Sequence, residues 1–115
     1  MTIQRIGPAY PTDDLPATVA LLTAVFGAGP TLVDGDRWAQ FDSNGVRVVL
    51  AGTDRDDDTS FLAIKVDDLD LALNRLRTRG FEVAQPVTGP HERRAVIRPT
   101  PDSVWHIALY EPITP

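Results

Sequence analysis

The sequence predicts an α+β fold of two βαβββ modules, because it contains an internal repeat and a matching hydrophobic periodicity. The segment DDLPATVALLTAVFG begins at Asp13, and the related segment DDLDLALNRLRTRG begins at Asp67. Each follows a strand-like run and ends at a glycine, Gly27 or Gly80, which suits the left-handed conformation just past a helix. Three short strand-like segments follow each predicted helix. We therefore expect the two modules to form a curved mixed sheet around a central cleft.

Apolar residues at helical spacing define the two helices. They are Leu15, Val19, Leu22 and Phe26 in the first helix, and Leu69, Leu73 and Leu76 in the second. Thr12 or Asp13 is the expected N-cap of the first helix, and Asp67 or Asp68 that of the second. Pro16 fits a first turn, where no backbone N–H is needed.

Alternating apolar residues and turn signals define the strands. After the first helix they are PTLV, RWAQFD and VRVVLAG, with SNG (residues 43–45) as a hairpin turn; after the second they are FEVAQ, RRAVIR and VWHIALYE. The halves also match along their strands, since DRWAQF at Asp36 parallels ERRAVI at Glu92. We expect one domain, with module one at residues 3–51, an acidic linker at 52–59 and module two at 60–111.

The alternation also assigns the two faces of the strands. The residues expected beneath the helices are Ala39, Phe41, Val46, Val48, Leu50, Leu62, Ile64, Val66, Trp105, Ile107 and Leu109. The residues expected in the cleft are Tyr10, Trp38, Gln40, Arg47, Val49, Phe61, Ala63, Lys65, Arg94, Val96, His106, Ala108 and Tyr110. The cleft is the expected place for a small-molecule site.

Composition excludes several classes of function. The 115-residue chain has no cysteine, which excludes disulfides, zinc–thiolate sites and thiol nucleophiles. Its net charge of −5 disfavours nucleic acid as a partner. The sequence shows no signal-peptide-like or membrane-spanning run, so we expect a cytoplasmic protein without a membrane partner. The stretch GTDRDDDTS lacks the alternation and terminal glutamate of an EF-hand loop, which favours a solvated linker over a calcium site.

The paired modules resemble the vicinal oxygen chelate superfamily, which includes glyoxalase I, bleomycin resistance proteins and extradiol dioxygenases. The resemblance spans residues 3–111 and is carried by the second-half opening FLAIKVDDLDLALNRLRTRGFEVAQP and by the closing ALYEP. It implies the fold described above. It also implies a homodimer, formed by edge-strand pairing or by exchange of modules between chains. One fold hosts many functions, so activity depends on the site.

Metal enzymes of this superfamily carry His, Gln or Glu at four cleft-facing strand positions. Position by position, the resemblance places these ligands at or beside Pro8 and at Val49, Phe61 and Ala108, none of which can hold a divalent cation. His106 lies two residues before the last position, about 6.5–7 Å along the strand. Because an open catalytic metal site needs about three protein ligands, we expect neither a metal nor another cofactor.

Eight residues are the candidate ligand-binding set: Tyr10, Trp38, Gln40, Arg47, Phe61, Arg94, His106 and Tyr110. His106 could contact a ligand or shuttle a proton, and is then the candidate catalytic residue; it could equally be a half-buried strand histidine bonded to a neighbour. Trp38 could be a stacking platform or a core residue, although Trp105 is the better core candidate. Arg47, Arg94 and Lys65 could anchor a carboxylate, phosphate or phenolate, or could lie at the rim and reach into water.

The leading hypothesis is a metal-independent binding protein that holds an aromatic or anionic molecule in the cleft, for sequestration, antibiotic resistance or pathway support. Bleomycin itself is strongly cationic and suits an acidic cleft, which the sequence does not predict. One alternative is a lyase, isomerase or dioxygenase that uses an unrecognised metal site or metal-free acid–base chemistry. Another is a structural or regulatory dimer with a vestigial cleft.

Overall fold

A computed structural model describes residues 2–113 of the chain. Within this range the elements follow the order βαβββ–βαβββ. They are β1 (Ile3–Pro11), α1 (Leu15–Phe26), β2 (Leu32–Asp34), β3 (Trp38–Ser43), β4 (Val46–Ala51), β5 (Ser60–Val66), α2 (Leu69–Thr78), β6 (Val87–Thr88), β7 (Glu92–Ile97) and β8 (Trp105–Pro112). The chain divides into two compact units. We call Gly7–Ser60 the first module, and residues 2–6 with 61–113 the second module.

In the first module the strands lie in the order β2-β3-β4-β1. β3 is antiparallel to β2 and β4, while β1 is parallel to β4. Asn44 and Gly45 both have positive φ, 50° and 80°, which is the conformation of a two-residue hairpin turn with the twist that strands prefer. Ser43 therefore lies opposite Val46, and the predicted SNG turn is confirmed.

The N-cap of α1 lies one residue after Asp13, the later of its two predicted caps. Asp14 is the N-cap, and its carboxylate accepts a 3.1 Å hydrogen bond from the backbone N–H of Ala17. The prediction of Thr12 or Asp13 is wrong because both side chains have other partners. The Thr12 hydroxyl accepts from the Asp14 N–H, and the Asp13 carboxylate binds the guanidinium of Arg55 at 2.6 Å.

In the second module the strands lie in the order β5-β8-β7-β6, with β7 antiparallel to both of its neighbours. Asp68 caps α2 by accepting from the N–H of Leu71 at 3.1 Å, so one of the two predicted caps is confirmed. Both helices are followed by a glycine in the left-handed conformation, Gly27 at φ 70° and Gly80 at φ 87°, as the sequence predicts.

Each helix packs on one face of its own module's strands. The core under α1 consists of Leu15, Ala39, Phe41 and Leu50, with Val19 and Leu22 packed against it. The core under α2 consists of Val66, Leu69, Ala72, Leu73, Ala95 and Leu109, with Ile64, Leu76, Val83, Ile97 and Ile107 packed against it. This packing confirms the predicted face for seven of the residues expected beneath the helices. We call the opposite side of each module's strands its helix-free face.

Three expectations about these elements are wrong. Val46 and Trp105 are 59% and 43% exposed, because each is the first residue of its strand and lies outside the core that the helix covers. The predicted strand FEVAQ does not form, and Phe81 at its start is 58% exposed. The strand is instead Val87–Thr88, where the chain pairs with β7, since a strand needs a partner and not only β-forming residues.

Of the two helices in residues 2–113, neither is long and apolar enough to cross a membrane.

Candidate functional site

The helix-free face of the second module carries four of the predicted site residues. Arg94 lies opposite Tyr110 in the β7–β8 register. His106 follows the same alternation on β8, and its ring stacks on Phe61 of β5 with centroids 4.9 Å apart and an 18° angle between planes. The structure therefore brings an arginine, a tyrosine and a stacked aromatic pair to one face of this module.

Burial separates these four residues into two groups. His106 is 0% exposed and Phe61 is 8% exposed, so both are part of the protein interior. Arg94 and Tyr110 are half-buried. The sequence left open whether His106 contacts a ligand or is a half-buried strand residue, and the structure places it deeper than either alternative. A ligand could reach the imidazole only if the groups that cover it moved.

Arg94 is a partly accessible charged group on this face. Its side chain is 19% exposed, and its guanidinium approaches the Glu92 carboxylate at 3.4 Å, with one nitrogen as the donor. A guanidinium has five N–H donors in a planar fork that suits a carboxylate or phosphate. Arg94 therefore has the chemistry to bind a carboxylate or phosphate.

The helix-free face of the first module carries Trp38, Gln40 and Arg47. The Trp38 indole N–H donates to the Gln40 side-chain oxygen at 3.0 Å, and both side chains are half-buried. The Trp38 side chain is thus fixed at its polar edge. In the repeat noted above, DRWAQF matches ERRAVI, so Trp38 and Arg94 occupy equivalent positions in the two modules.

Arg47 is bound by a partner that the sequence analysis missed. Asp42 lies directly opposite Arg47 and takes two hydrogen bonds from its guanidinium, at 2.8 and 3.3 Å. The signal was present in the sequence, because a two-residue turn at Asn44 and Gly45 fixes the register and places these residues across from one another. A bidentate pair is strong, so a ligand would have to displace Asp42 to use the guanidinium of Arg47.

The assignment of Tyr10 to the cleft side is wrong. In the β1–β4 register Ala9 lies opposite Val49, and Tyr10 lies opposite Leu50, which is in the core under α1. Tyr10 therefore belongs to the side of the strands that faces the helix, where it is 49% exposed. The register of a parallel pair is set by backbone hydrogen bonds, and a one-residue shift exchanges the faces.

The residues at the four metal-ligand positions do not fit a metal. The first of these positions is Ala9, which lies beside Pro8 and on the helix-free face. The other three are Val49, Phe61 and Ala108. All four side chains are buried, and none contains a nitrogen, oxygen or sulfur atom. Within residues 2–113 no three His, Cys, Asp or Glu side chains are grouped closely enough to hold a metal ion. We therefore assign no role to a metal at these positions.

Arg55 organises the acidic segment that the sequence predicts to be a solvated linker. One guanidinium nitrogen donates to the carbonyls of Thr12 and Gly52, and the other donates to the carboxylates of Asp13 and Asp58. These carboxylate hydrogen bonds raise the pKa of Arg55. The side chain is only 15% exposed, whereas both carboxylates are almost fully exposed. Asp54 of the same segment also lies 3.8 Å from the guanidinium of Arg37, so both the arginine and an acid connect the segment to the rest of the first module.

Two surface cavities lie where the helices begin. One of about 390 Å³ adjoins the start of α1 and includes Arg55, and one of about 480 Å³ adjoins the start of α2. In the second, Arg93 binds the Asp70 carboxylate at 3.1 Å, and these hydrogen bonds lower the pKa of Asp70. Neither cavity includes any of the eight candidate residues.

The fold and the sequence together identify the family. The model of the glyoxalase/bleomycin resistance protein/dioxygenase superfamily matches residues 2–106. The chain belongs to this superfamily, and the resemblance seen in its sequence is confirmed. No curated protein matches the sequence significantly.

Solved structures share the fold at low sequence identity. The chain is similar to an NAD-dependent benzaldehyde dehydrogenase from Legionella pneumophila (TM-score 0.81, 12% identity, covering 95% of this chain and 100% of that one). It is also similar to methylmalonyl-CoA epimerase from Streptomyces coelicolor (TM-score 0.71, 19% identity, covering 96% of this chain and 95% of that one). A third similar structure is a glyoxalase/bleomycin resistance protein/dioxygenase superfamily member from Vibrio splendidus 12B01 (TM-score 0.65, 16% identity, covering 97% of this chain and 100% of that one). At these identities the likeness establishes the α+β fold alone.

Proposed function

We propose that the chain is a metal-independent small-molecule-binding protein of its superfamily, and that it holds an aromatic or anionic ligand on the helix-free face of its second module. Such a protein could sequester a toxic compound, confer resistance to an antibiotic or serve as an accessory to a pathway. The observation that carries the proposal is the pair formed by Arg94 and Tyr110, which are half-buried and lie opposite one another on the second module.

The chemistry of that pair favours an anionic group attached to an aromatic ring. Arg94 donates charge-assisted hydrogen bonds, which are worth about 1.5–3 kcal/mol each when the acceptor is charged. Tyr110 presents a ring with a hydroxyl at its tip, so it can contact an apolar body and also donate or accept a hydrogen bond. The Arg94 side chain is 19% exposed, so an incoming carboxylate or phenolate can reach the guanidinium.

The metal positions support the metal-independent part of the proposal. In this chain they carry apolar side chains, three of which are Val49, Phe61 and Ala108, at 3%, 8% and 4% exposure. Apolar side chains can pack against other apolar atoms, but they offer no electron pair to a cation. The proposed ligand is therefore recognised by arginine and aromatic groups.

A ligand screen tests the proposal. Purified protein is melted with a set of benzoates, phenolates, aryl phosphates and neutral aromatic compounds, and each stabilising compound is then titrated by calorimetry. A compound present at a hundredfold excess over its Kd should stabilise the protein by about 2.7 kcal/mol. Arg94→Gln should weaken binding by about 10- to 100-fold, as expected for loss of one charge-assisted anchor.

The matched control is Arg75→Gln, which alters an exposed arginine on α2 and should leave the Kd unchanged. A screen in which no aromatic or anionic compound stabilises the protein would contradict the proposal. A ligand whose affinity is unaffected by Arg94→Gln would contradict the assigned anchor.

The second candidate is an enzyme of lyase, isomerase or oxidoreductase type. The fold likeness to methylmalonyl-CoA epimerase favours it, because that protein is an isomerase. His106 is the candidate acid–base group, yet its complete burial means that substrate access would require movement of the groups around it. Conversion of a bound ligand, lost in His106→Gln while binding persists, would favour this candidate over simple binding.

A further inference from the structure

The helix-free face of the second module also carries Lys65, which is the only lysine in the sequence. It lies on β5 four residues after Phe61, and the alternation of a strand places both side chains on the same face. Burial agrees with this assignment, because Ile64 and Val66 on either side of Lys65 are in the core under α2 or packed against it. Lys65 is half-buried, so part of its side chain is accessible to a ligand.

The internal repeat gives the neighbour of Lys65 on β8. In the first module Pro11 of β1 pairs with Ala51 of the parallel strand β4. Pro11 and Lys65 each come two residues before a DDL segment, so they occupy the same repeat position. VRVVLA of β4 aligns with WHIALY of β8, so Ala51 and Tyr110 also correspond. The repeat therefore places Lys65 beside Tyr110.

Two contacts within the second module support this register between the neighbouring strands β5 and β8. Near the start of both strands, Phe61 stacks on His106, and these two residues lie four positions before the pair that the repeat predicts. Just beyond the end of β5, the N–H of Leu69 donates to the carboxylate of Glu111 near the end of β8, at 3.4 Å. Because the starts lie together and the ends lie together, the two strands run in the same direction.

Lys65, Tyr110 and Arg94 therefore form a row across three strands. Arg94 lies opposite Tyr110 on its other side, and the strand order β5-β8-β7 places the tyrosine between the two cations. Since neighbouring strands lie about 4.8 Å apart, the Cα atoms of Lys65 and Arg94 are separated by about 10 Å. We call these three residues the cationic row.

Each end of the cationic row has an acidic side chain near its cation. Glu92 approaches Arg94 at 3.4 Å. Asp67 lines the same cavity of about 480 Å³ as Lys65, and its carboxylate accepts a 2.6 Å hydrogen bond from the N–H of Thr2, which lowers the pKa of Asp67. These acids offset part of the attraction that either cation has for an anionic group. A ligand that uses both ends of the row gains more than a ligand that uses one.

The order of chemical groups along the row defines the ligand that fits it. The guanidinium and the ammonium can each donate charge-assisted hydrogen bonds to a carboxylate. The ring of Tyr110 between them can contact an aromatic ring face-on with an offset or edge-on. The lysine ammonium is a point charge on a flexible stem, so it can adjust to the position of the second anionic group. A cation, a ring and a second cation are complementary to an aromatic ring that carries an anionic group at each end.

We propose that Lys65 is a specificity-determining residue of this face, and that the ligand is an aromatic compound with anionic groups at both ends of its ring. This inference rests on the proposed function, because it assumes that the helix-free face of the second module binds a small molecule. It adds the second anchor and the class of ligand.

Calorimetric titration with three compounds tests the inference. Terephthalate carries carboxylates at opposite ends of its ring, phthalate carries the same two groups side by side, and benzoate carries one. Terephthalate should bind about 10- to 100-fold more tightly than the other two, as expected for one additional charge-assisted anchor. Lys65→Gln should lower the affinity for terephthalate to about that of benzoate, and Lys65→Arg should retain most of the preference. Arg75→Gln, on the exposed side of α2, is the control and should not alter it.

A second measurement needs no substitution and covers the case in which Lys65→Gln fails to fold. Because Lys65 is the only lysine, reductive methylation with isotopically labelled formaldehyde gives one lysine signal in the NMR spectrum, besides that of the amino terminus. Terephthalate should shift the lysine signal, and benzoate should shift it much less.

The outcomes separate this inference from the proposed function. If benzoate binds and loses affinity in Arg94→Gln, but terephthalate binds no more tightly than phthalate and leaves the lysine signal unchanged, the inference is overturned and the proposed function stands. If none of the three compounds binds, the inference is also overturned, and the wider ligand screen then decides the proposed function.

Discussion

The stacked pair of Phe61 and His106 gives the sharpest test of how the helix-free face of the second module is built. Phe61→Ala removes a ring that is 8% exposed and lies 4.9 Å from the imidazole of His106. Truncation of a buried phenylalanine costs about 3–5 kcal/mol, which includes the cavity left behind. A typical domain has only about 5–15 kcal/mol of stability, so the loss would be a large share of the total.

Urea unfolding followed by far-UV circular dichroism measures this loss as a change in the free energy of unfolding. The matched control is Phe81→Ala, the same substitution in the same module at a residue that is 58% exposed, and it should cost less than about 1 kcal/mol. Phe61→Leu should retain a folded protein at a cost of roughly 1.5 kcal/mol or less. Equal losses for Phe61→Ala and Phe81→Ala would refute the reasoning, because they would show that Phe61 is not buried in solution.

Two further predictions concern backbone space and charge. Gly52→Ala should destabilise the protein by about 3 kcal/mol or more in the same urea assay, because the new Cβ would lie 2.0 Å from the backbone oxygen of Asp36. The control is Gly29→Ala, whose new Cβ meets nothing within 4 Å and which should stay within about 0.5 kcal/mol of wild type. Asp70→Asn should destabilise the protein at neutral pH, because its hydrogen bonds with Arg93 lower the pKa of Asp70 below its ordinary 3.8. That contribution to stability is present above pH 3.8 and is lost as the pH falls through the lower folded-state pKa, so the free energies of unfolding of wild type and Asp70→Asn should become equal at low pH. A stability difference between the two proteins that stays the same at low pH would contradict this assignment.

The sequence predicts the fold well because its signals are local and repeated. Helix periodicity and terminal glycines define α1 and α2, and the Asn-Gly turn defines the β3–β4 hairpin. The exception is β6, where the β-forming run at Phe81 stays outside the sheet. Which residues form a strand depends on where the neighbouring strand lies. The sequence of residues 81–85 does not show that β7 forms its backbone hydrogen bonds with Val87 and Thr88 instead.

The candidate site is less predictable, because faces follow from register and exposure follows from packing. Alternation places Arg94, His106 and Tyr110 on one face correctly, since these strands are long and antiparallel. It fails for Tyr10, because the register of the parallel β1–β4 pair is not marked by a turn. It also fails to show that His106 is fully buried, since burial depends on groups that are distant in the sequence.

Ion pairs illustrate the same limit. Asp42 opposite Arg47 follows from the hairpin turn and could have been predicted. Arg55 bridging Asp13 and Asp58 could not, because Asp13 is far from Arg55 in the sequence and the pairing depends on how the acidic segment folds back. The sequence shows only a run of acids with one arginine among them.

Metal content is the measurement that tests the central claim most directly. The protein is incubated with nickel, zinc, iron and manganese, free ions are removed by gel filtration, and bound metal is quantified by mass spectrometry. Since Ala9, Val49, Phe61 and Ala108 supply no donor atoms, we expect far less than one ion per chain, while the ligand identified in the screen still binds. One tightly held ion per chain, together with loss of ligand binding when that ion is removed, would contradict the account.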